Sequence, residues 1–358
     1  MSKTLLLLLG LALCFIQCSN ELDEYDPRYI GENAKKVLVV YGLISADDSL
    51  ATHYIRVARA FQTKGDRVVY AKETDLSLAN AIVYLQPLHS INSQGDTLWG
   101  SPIRCTSERI TRSTTNFYPS ITVYKVQFTP RVGQTYKLVV KVSENERVDS
   151  VYAVTTIPEV PYITSPGEPV VLPGNRLAWP EAPFQQSNFS LRMRRSRSSC
   201  APRNAGAGFE LSFHFIYREN DKLDTLTFQY ATPFAESNTT CSLADCFCIQ
   251  SGKDFQSFLL SQLEGKTNLR YDDSDQSKAV GITVRALDKA LYNYMRANNP
   301  AFIDFTTVRP EYTNIHGGVG VFGSYSSFTR YVRLSPCTQH LLQLNGKRYE
   351  DRPVNCEK

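Results

Sequence analysis

From Val37 onward, apolar and polar positions alternate with a period of two in one segment after another. "VLVVYGLIS" is a continuous apolar run of buried-strand length, and "THYIRVARAF" places Ile55, Val57 and Phe61 on one face. "NAIVYLQPL" follows, then "ITVYKVQFTP" with Tyr124, Val126 and Phe128 sharing a face. In "TYKLVVKV", Tyr136, Leu138, Val140 and Val142 point one way, while Thr135, Lys137 and Lys141 point the other. "VDSVYAVTTIP" closes the set. Short alternating strands separated by turn residues predict an antiparallel sandwich, Ig-like in scale, over residues 37–158.

Residues 159–174 are dense in proline and glycine without any period, and read as a linker or an extended crossing. A second β-rich unit is expected over 175–358. "FELSFHFIYRE" puts Phe209, Leu211, Phe213, Phe215 and Tyr217 on one face, and "DTLTFQY" can return beside it as a hairpin. Two helices interrupt this unit. "SGKDFQSFLLSQLEG" offers Ser251 as N-cap, an apolar stripe of Phe255, Phe258, Leu259 and Leu263, and Gly265 as the stop. "DKALYNYMRANNP" starts at Asp288, directs Leu291, Tyr294 and Met295 inward, and ends before Pro300. The expectation is therefore a mainly β chain of two antiparallel sandwich-like domains, the second carrying two short helices.

Composition changes this picture little. At 42% hydrophobic and 21% charged residues, the chain is that of a folded protein and not a disordered one. Tyr (20) and Phe (18) far outnumber Met (3), which favours pleated, half-buried surfaces over helices. A net charge of +4 without a long basic face argues against a nucleic-acid partner.

The first residues say most about location. "MSKTLLLLLGLALCFIQCSN" sets Lys3 before an apolar run from Leu5 to Ile16 that ends close to Cys18. The run is too short for a stable membrane span and has the layout of a secretory signal. A cysteine in place of a small-residue cleavage site resembles a bacterial lipoprotein signal, so residues 1–17 are expected to be removed and Cys18 acylated. Residues 18–36 then form a tether, acidic through Glu21, Asp23, Glu24 and Asp26. This acidic stretch resembles the export signal that follows the lipidated cysteine in surface-exposed lipoproteins of Bacteroidota. The membrane is expected to be reached through the N-terminal lipid alone.

Seven further cysteines suit an oxidising compartment. "CSLADCFC" spaces its thiols C-x4-C-x-C with no histidine nearby, which is a poor zinc pattern. Cys246 and Cys248 are too close to bond each other without strain. Two disulfides are expected among Cys200, Cys241, Cys246 and Cys248, and a third through Cys337 and Cys356, leaving Cys105 over.

Motifs that would carry chemistry do not assemble. Gly318, Gly320 and Gly323 in "HGGVGVFGSYSS" match the spacing G-x-G-x-x-G. A dinucleotide site needs a helix after that loop and an acidic residue about twenty positions on. Here the following "SYSSFTRYVRLSP" reads as a strand, so the glycines are expected to serve a turn or a close backbone approach. The five histidines show no metal-ligand spacing, and Asp272, Asp273 and Asp275 lack the glycine and final glutamate of a calcium loop. Arg192, Arg194, Arg195, Arg197 and Arg203 read as a basic solvated loop or as a contact for anions. No catalytic, cofactor or metal residue is assigned.

Together, "VLVVYGLIS…THYIRVARAF", "GQTYKLVVKV", "LYNYMRANNP" and "RPEYTNIHGGVGVFGSYSS" resemble an uncharacterised family of Bacteroidota outer-membrane lipoproteins, often encoded beside TonB-dependent receptors. The similarity runs from about Val37 to about Arg330, and no catalytic residue comes with it. The resemblance implies a lipid-anchored, non-enzymatic accessory subunit of an outer-membrane β-barrel, a TonB-dependent transporter or secretion assembly, facing the cell exterior. An adhesin or fimbria-like subunit, and a glycan-binding or hydrolytic module, are the alternatives.

Overall fold

The computed structural model describes residues 37–47, 52–60, 67–111, 118–144, 147–168, 170–172, 176–178, 181–182, 189–194, 206–230, 245–250, 252–266, 269–271, 280–298, 312–335 and 338. Cys18, Cys200, Cys241, Cys337, Cys356 and the aspartates 272, 273 and 275 lie outside them, as do Arg195, Arg197 and Arg203.

Alternation in the first half produces β1 (Leu38–Ser45), β2 (Thr52–Arg59), β3 (Ile82–Ile91), β4 (Thr97–Trp99), β5 (Ile103–Arg104), β6 (Thr106–Thr111), β7 (Ser120–Gln127), β8 (Thr135–Glu144) and β9 (Arg147–Thr156), with a short helix α1 (Arg67–Glu73) after β2. The second half adds β10 (Tyr162–Ser165), β11 (Val170–Leu172), β12 (Arg176–Ala178), β13 (Glu181–Ala182), β14 (Phe189–Arg194), β15 (Gly208–Glu219), β16 (Lys222–Gln229), β17 (Asp245–Gln250), β18 (Leu269–Tyr271), β19 (Val280–Leu287) and β20 (Val319–Leu334). Its helices are α2 (Gly252–Leu263) and α3 (Lys289–Asn298). The protein is mainly β and sandwich-like, with both expected helices present.

One large sheet runs through both halves in the order β16-β15-β19-β20-β1-β2-β7-β6. Its joint is β20, antiparallel to β19 on one side and parallel to β1 on the other, where Val40 stands opposite Gly320 and Gly42 opposite Phe322. A smaller sheet, β4-β3-β8-β9 with β5 beside β3, faces the first half of the large one. Between them lies an apolar core holding Val40, Ile55 and Tyr124 from one sheet and Leu85, Leu138 and Val151 from the other. The second half of the large sheet buries the predicted Phe209–Tyr217 face against Phe255, Leu259 and Leu263 of α2 and against Ile163, Leu191 and Met193. Ile163 belongs to β10 and the other two to β14, in the three-stranded sheet β10-β14-β17. The β15–β16 hairpin forms as expected, turning on Asn220 and Asp221, both at positive φ.

Both cores lie on the same face of β20, separated along the strand by polar side chains. Ser324 and Ser326 are fully buried there, and their hydroxyls donate to the carbonyls of Thr156 (3.0 Å) and Glu159 (2.9 Å). Arg330 Nη2 donates to the Ile163 carbonyl at 2.9 Å. Residues 156–163, where the chain passes between its halves, are thus held across β20 by side chains that satisfy otherwise buried carbonyls. The Pro/Gly-rich passage begins as a strapped crossing.

Candidate binding face and the seam beside it

The outward face of the small sheet departs from the polar exterior expected of a free sandwich. Outward positions alternate with the core residues: Ile82, Tyr84 and Gln86 on β3, Lys137, Val139 and Lys141 on β8, and Val148, Tyr152 and Val154 on β9. Several are large, apolar and open to solvent: Ile82 is 55% exposed, Val148 60%, Tyr152 41% and Val154 39%. Ser150 separates Val148 from Tyr152 and Val154 on β9, and Lys141 stands opposite Ile82, so the apolar exposure centres on Tyr152 and Val154. Exposure of this kind marks interaction surfaces.

A row of rings and cations crosses this face. Lys137 Nζ lies 5.5 Å from the centre of the Trp99 ring and 4.7 Å from that of Tyr152. The His316 ring stacks on Tyr152 with centroids 4.5 Å apart and planes 11° from parallel. Backbone pairing places His316 there, since its N–H donates to the Tyr152 carbonyl (2.8 Å) and the Tyr152 N–H returns to the His316 carbonyl (3.3 Å). Arg104, opposite Tyr84, and Lys141, opposite Ile82, add positive charge. Among the described residues no carboxylate occupies an outward position of β3, β5, β8 or β9. Asp149 belongs to the other face, where it pairs with Arg59 at 3.3 Å. The face is apolar, aromatic and cationic.

Beyond Val154, β9 runs to a cavity of about 410 Å³ lined by Val154, Thr156, Pro158, Ala207, Lys289 and Tyr312, with Asp288 at its base. Asp288 immediately precedes α3 and caps it: Oδ1 accepts from the Leu291 N–H (2.9 Å) and the Ser324 N–H (3.2 Å), while Oδ2 accepts from the Thr155 hydroxyl (2.6 Å). The Thr155 and Ser324 hydroxyls are 2.7 Å apart. Burial raises the proton affinity of this carboxyl above the ordinary aspartate value, although these hydrogen bonds oppose the shift. Burial likewise raises that of Tyr312. The carboxyl ties β9, α3 and β20 together, and its oxygens are occupied in doing so.

The glycine motif lies beside this seam. Gly320 has φ of 116°, and a Cβ there would stand 2.0 Å from the Val40 carbonyl oxygen. At Gly323 a Cβ would come within 2.8 Å of Leu291 Cβ. The glycines let β20 approach β1 and α3, and the strand continues to Leu334 as the following residues predict.

Other candidates have the following places. Cys246 stands opposite Met193 and Cys248 opposite Leu191 in the β14–β17 ladder. Cys105 is a free thiol whose pKa burial pushes up to about 12. Arg192 and Arg194 are on β14. Among the described residues no group of three or more His, Cys, Asp or Glu could hold a metal ion. A polar cluster on β15 went unforeseen: Ser212 Oγ is 3.2 Å from His214 Nε2, and His214 Nδ1 is 3.0 Å from Thr227 Oγ1. Burial and the nearby Arg285 charge lower the pKa of His214. Ser212 itself is buried.

Sequence reasoning also missed the Trp99–Lys137–Tyr152–His316 row. A signal was present in "VDSVYAVTT", where Val148, Tyr152 and Val154 are apolar in the phase opposite to the buried Val151 and Ala153. A strand apolar in both phases needs cover on both faces.

No helix among the described residues is long and apolar enough to cross a membrane. The chain belongs to the family described as Domain of unknown function (DUF4249), which matches residues 23–330. None of the curated proteins with which it was compared matches it.

Proposed function

We propose that this member of the family is a lipid-anchored, non-enzymatic accessory subunit that docks on an outer-membrane β-barrel, a TonB-dependent transporter or secretion assembly, at the cell exterior. The observation that carries this reading is the exposed apolar face of the small sheet, with Ile82, Val148, Tyr152 and Val154 open to solvent. The N-terminal sequence supports the anchor: a short apolar run leads to Cys18 and an acidic tether follows it. Acylation confines the protein to a plane, so a modest docking face suffices to keep it on a membrane partner.

The test is metabolic labelling with palmitate in cells making a tagged form, followed by membrane fractionation and gentle detergent capture. Wild type is expected to carry label, to sediment with the outer membrane and to bring down a barrel protein. The Cys18→Ala form is expected to lose label and sedimentation. An unlabelled wild type in the cytosol removes the reading; labelled protein that polymerises without a barrel favours the fimbria-like alternative.

A further inference from the structure

We infer that the segment received by the small-sheet face is an extended, acidic stretch of a partner protein, selected by Lys137. This rests on the docking reading above and specifies the chemistry of the partner at the same site.

Several cations elsewhere among the described residues have carboxylate partners: Arg59 pairs with Asp149, Arg109 with Asp75 and Lys125 with Glu108, each within 3.3 Å. On the small-sheet face Arg104, Lys137 and Lys141 share a surface without any outward carboxylate among the described residues. Lys137 is instead held between the rings of Trp99 and Tyr152. Ring faces attract an ammonium group, but they do not neutralise it. A cation fixed between two aromatic walls, with the exposed Val154 directly opposite it on β9, is pre-organised for a carboxylate arriving with an apolar neighbour.

The aliphatic share of this surface favours a polypeptide over a glycan, whose polar edges would leave Val148 and Val154 poorly covered. The layout favours an extended chain. Tyr152, Val154 and the cavity follow one another along β9, and Tyr152 to Thr156 spans about 13 Å at roughly 3.3 Å per residue. A segment of about five or six residues lying along β9 covers Tyr152 and Val154, passes Lys137 opposite Val154, and reaches the cavity of about 410 Å³, which accepts one large side chain. Steering by three like charges also makes encounter salt-dependent.

The experiment measures fluorescence anisotropy of two labelled octapeptides, alternating Glu-Tyr and alternating Lys-Tyr, with the full-length protein in detergent. The acidic peptide is expected to bind at least about tenfold more tightly at low salt, and to weaken as salt rises. Lys137→Gln is expected to weaken it several-fold, and Lys137→Glu with Arg104→Glu and Lys141→Glu to reverse the preference, in variants whose cooperative thermal melting shows them folded. The wild-type comparison needs no variant to fold. Equal binding of both peptides, or salt-independent binding, overturns the inference while barrel capture still decides the docking reading. Tighter binding of polygalacturonate or of phosphatidylglycerol vesicles than of the acidic peptide also overturns it, in favour of a glycan or a lipid surface.

Discussion

Asp288 shows how much a single side chain holds together. Its carboxyl caps α3, closes the backbone of β20 at Ser324 and takes the Thr155 hydroxyl from β9. Because burial raises its folded pKa above the unfolded value near 3.8, the native state binds the extra proton in the window just above that value. Stability contributed by this group is therefore full below pH 3.8 and is lost as pH rises through the folded pKa. Asp288→Asn keeps both backbone N–H acceptor contacts and does not titrate, at a cost of about 1 kcal/mol for the altered Thr155 contact. The advantage of wild type over this variant, measured by denaturant unfolding, is expected to shrink between pH 4 and pH 7; an advantage that grows with pH contradicts the account. The sequence marked Asp288 as a helix start through the residues that follow it. Its partners Thr155 and Ser324, 133 and 36 positions away, belong to no local pattern.

At the scale of elements, β20 is the strand on which the fold turns. Its neighbour β19 pairs from Tyr325 onward, so the earlier residues need another partner on that side. Asn314 supplies it: Oδ1 accepts from the Phe322 N–H (2.9 Å) and Nδ2 donates to the Phe322 carbonyl (2.8 Å). On the opposite side Gly320 lies against Val40. Gly320→Ala places a methyl group inside the contact distance of the Val40 carbonyl at a backbone angle that L-residues avoid. A loss of about 3 kcal/mol or outright misfolding is expected, read as a lowered melting temperature. A variant as stable as wild type sinks the close-approach explanation. Strand character here was legible in "SYSSFTRYVRLSP", but the parallel pairing with β1 was not, because some 280 residues separate the partners. In α3 the stripe was only half legible. Leu291 and Met295 pack inward, but Tyr292 is the buried tyrosine, while Tyr294 meets the edge of Tyr41. The space at Gly208, where a Cβ would fall 2.2 Å from the Tyr292 ring, admits that tyrosine.

At the scale of the whole molecule, two cores share one face of one sheet, and the crossing segment is pinned between them by Ser324, Ser326 and Arg330. Alternation along the strands revealed both cores, since burial imposes the period of two. It could not reveal which strands adjoin across the halves, nor a ring row drawn from β4, β8, β9 and the residues before β20. The exposed apolar and cationic face is displayed on the outer side of the small sheet, and β9 carries it through Val154 to the cavity at the seam. The central claim is that this face meets a membrane-embedded partner. The most direct measurement is photo-crosslinking in living cells from a reactive amino acid placed at Val154, with Leu223 on the exposed β16 hairpin as the control position. The account expects the Val154 position to cross-link to an outer-membrane barrel protein while the Leu223 position does not. Cross-links from Leu223 alone, or none from Val154 in cells where the protein is acylated, would contradict it.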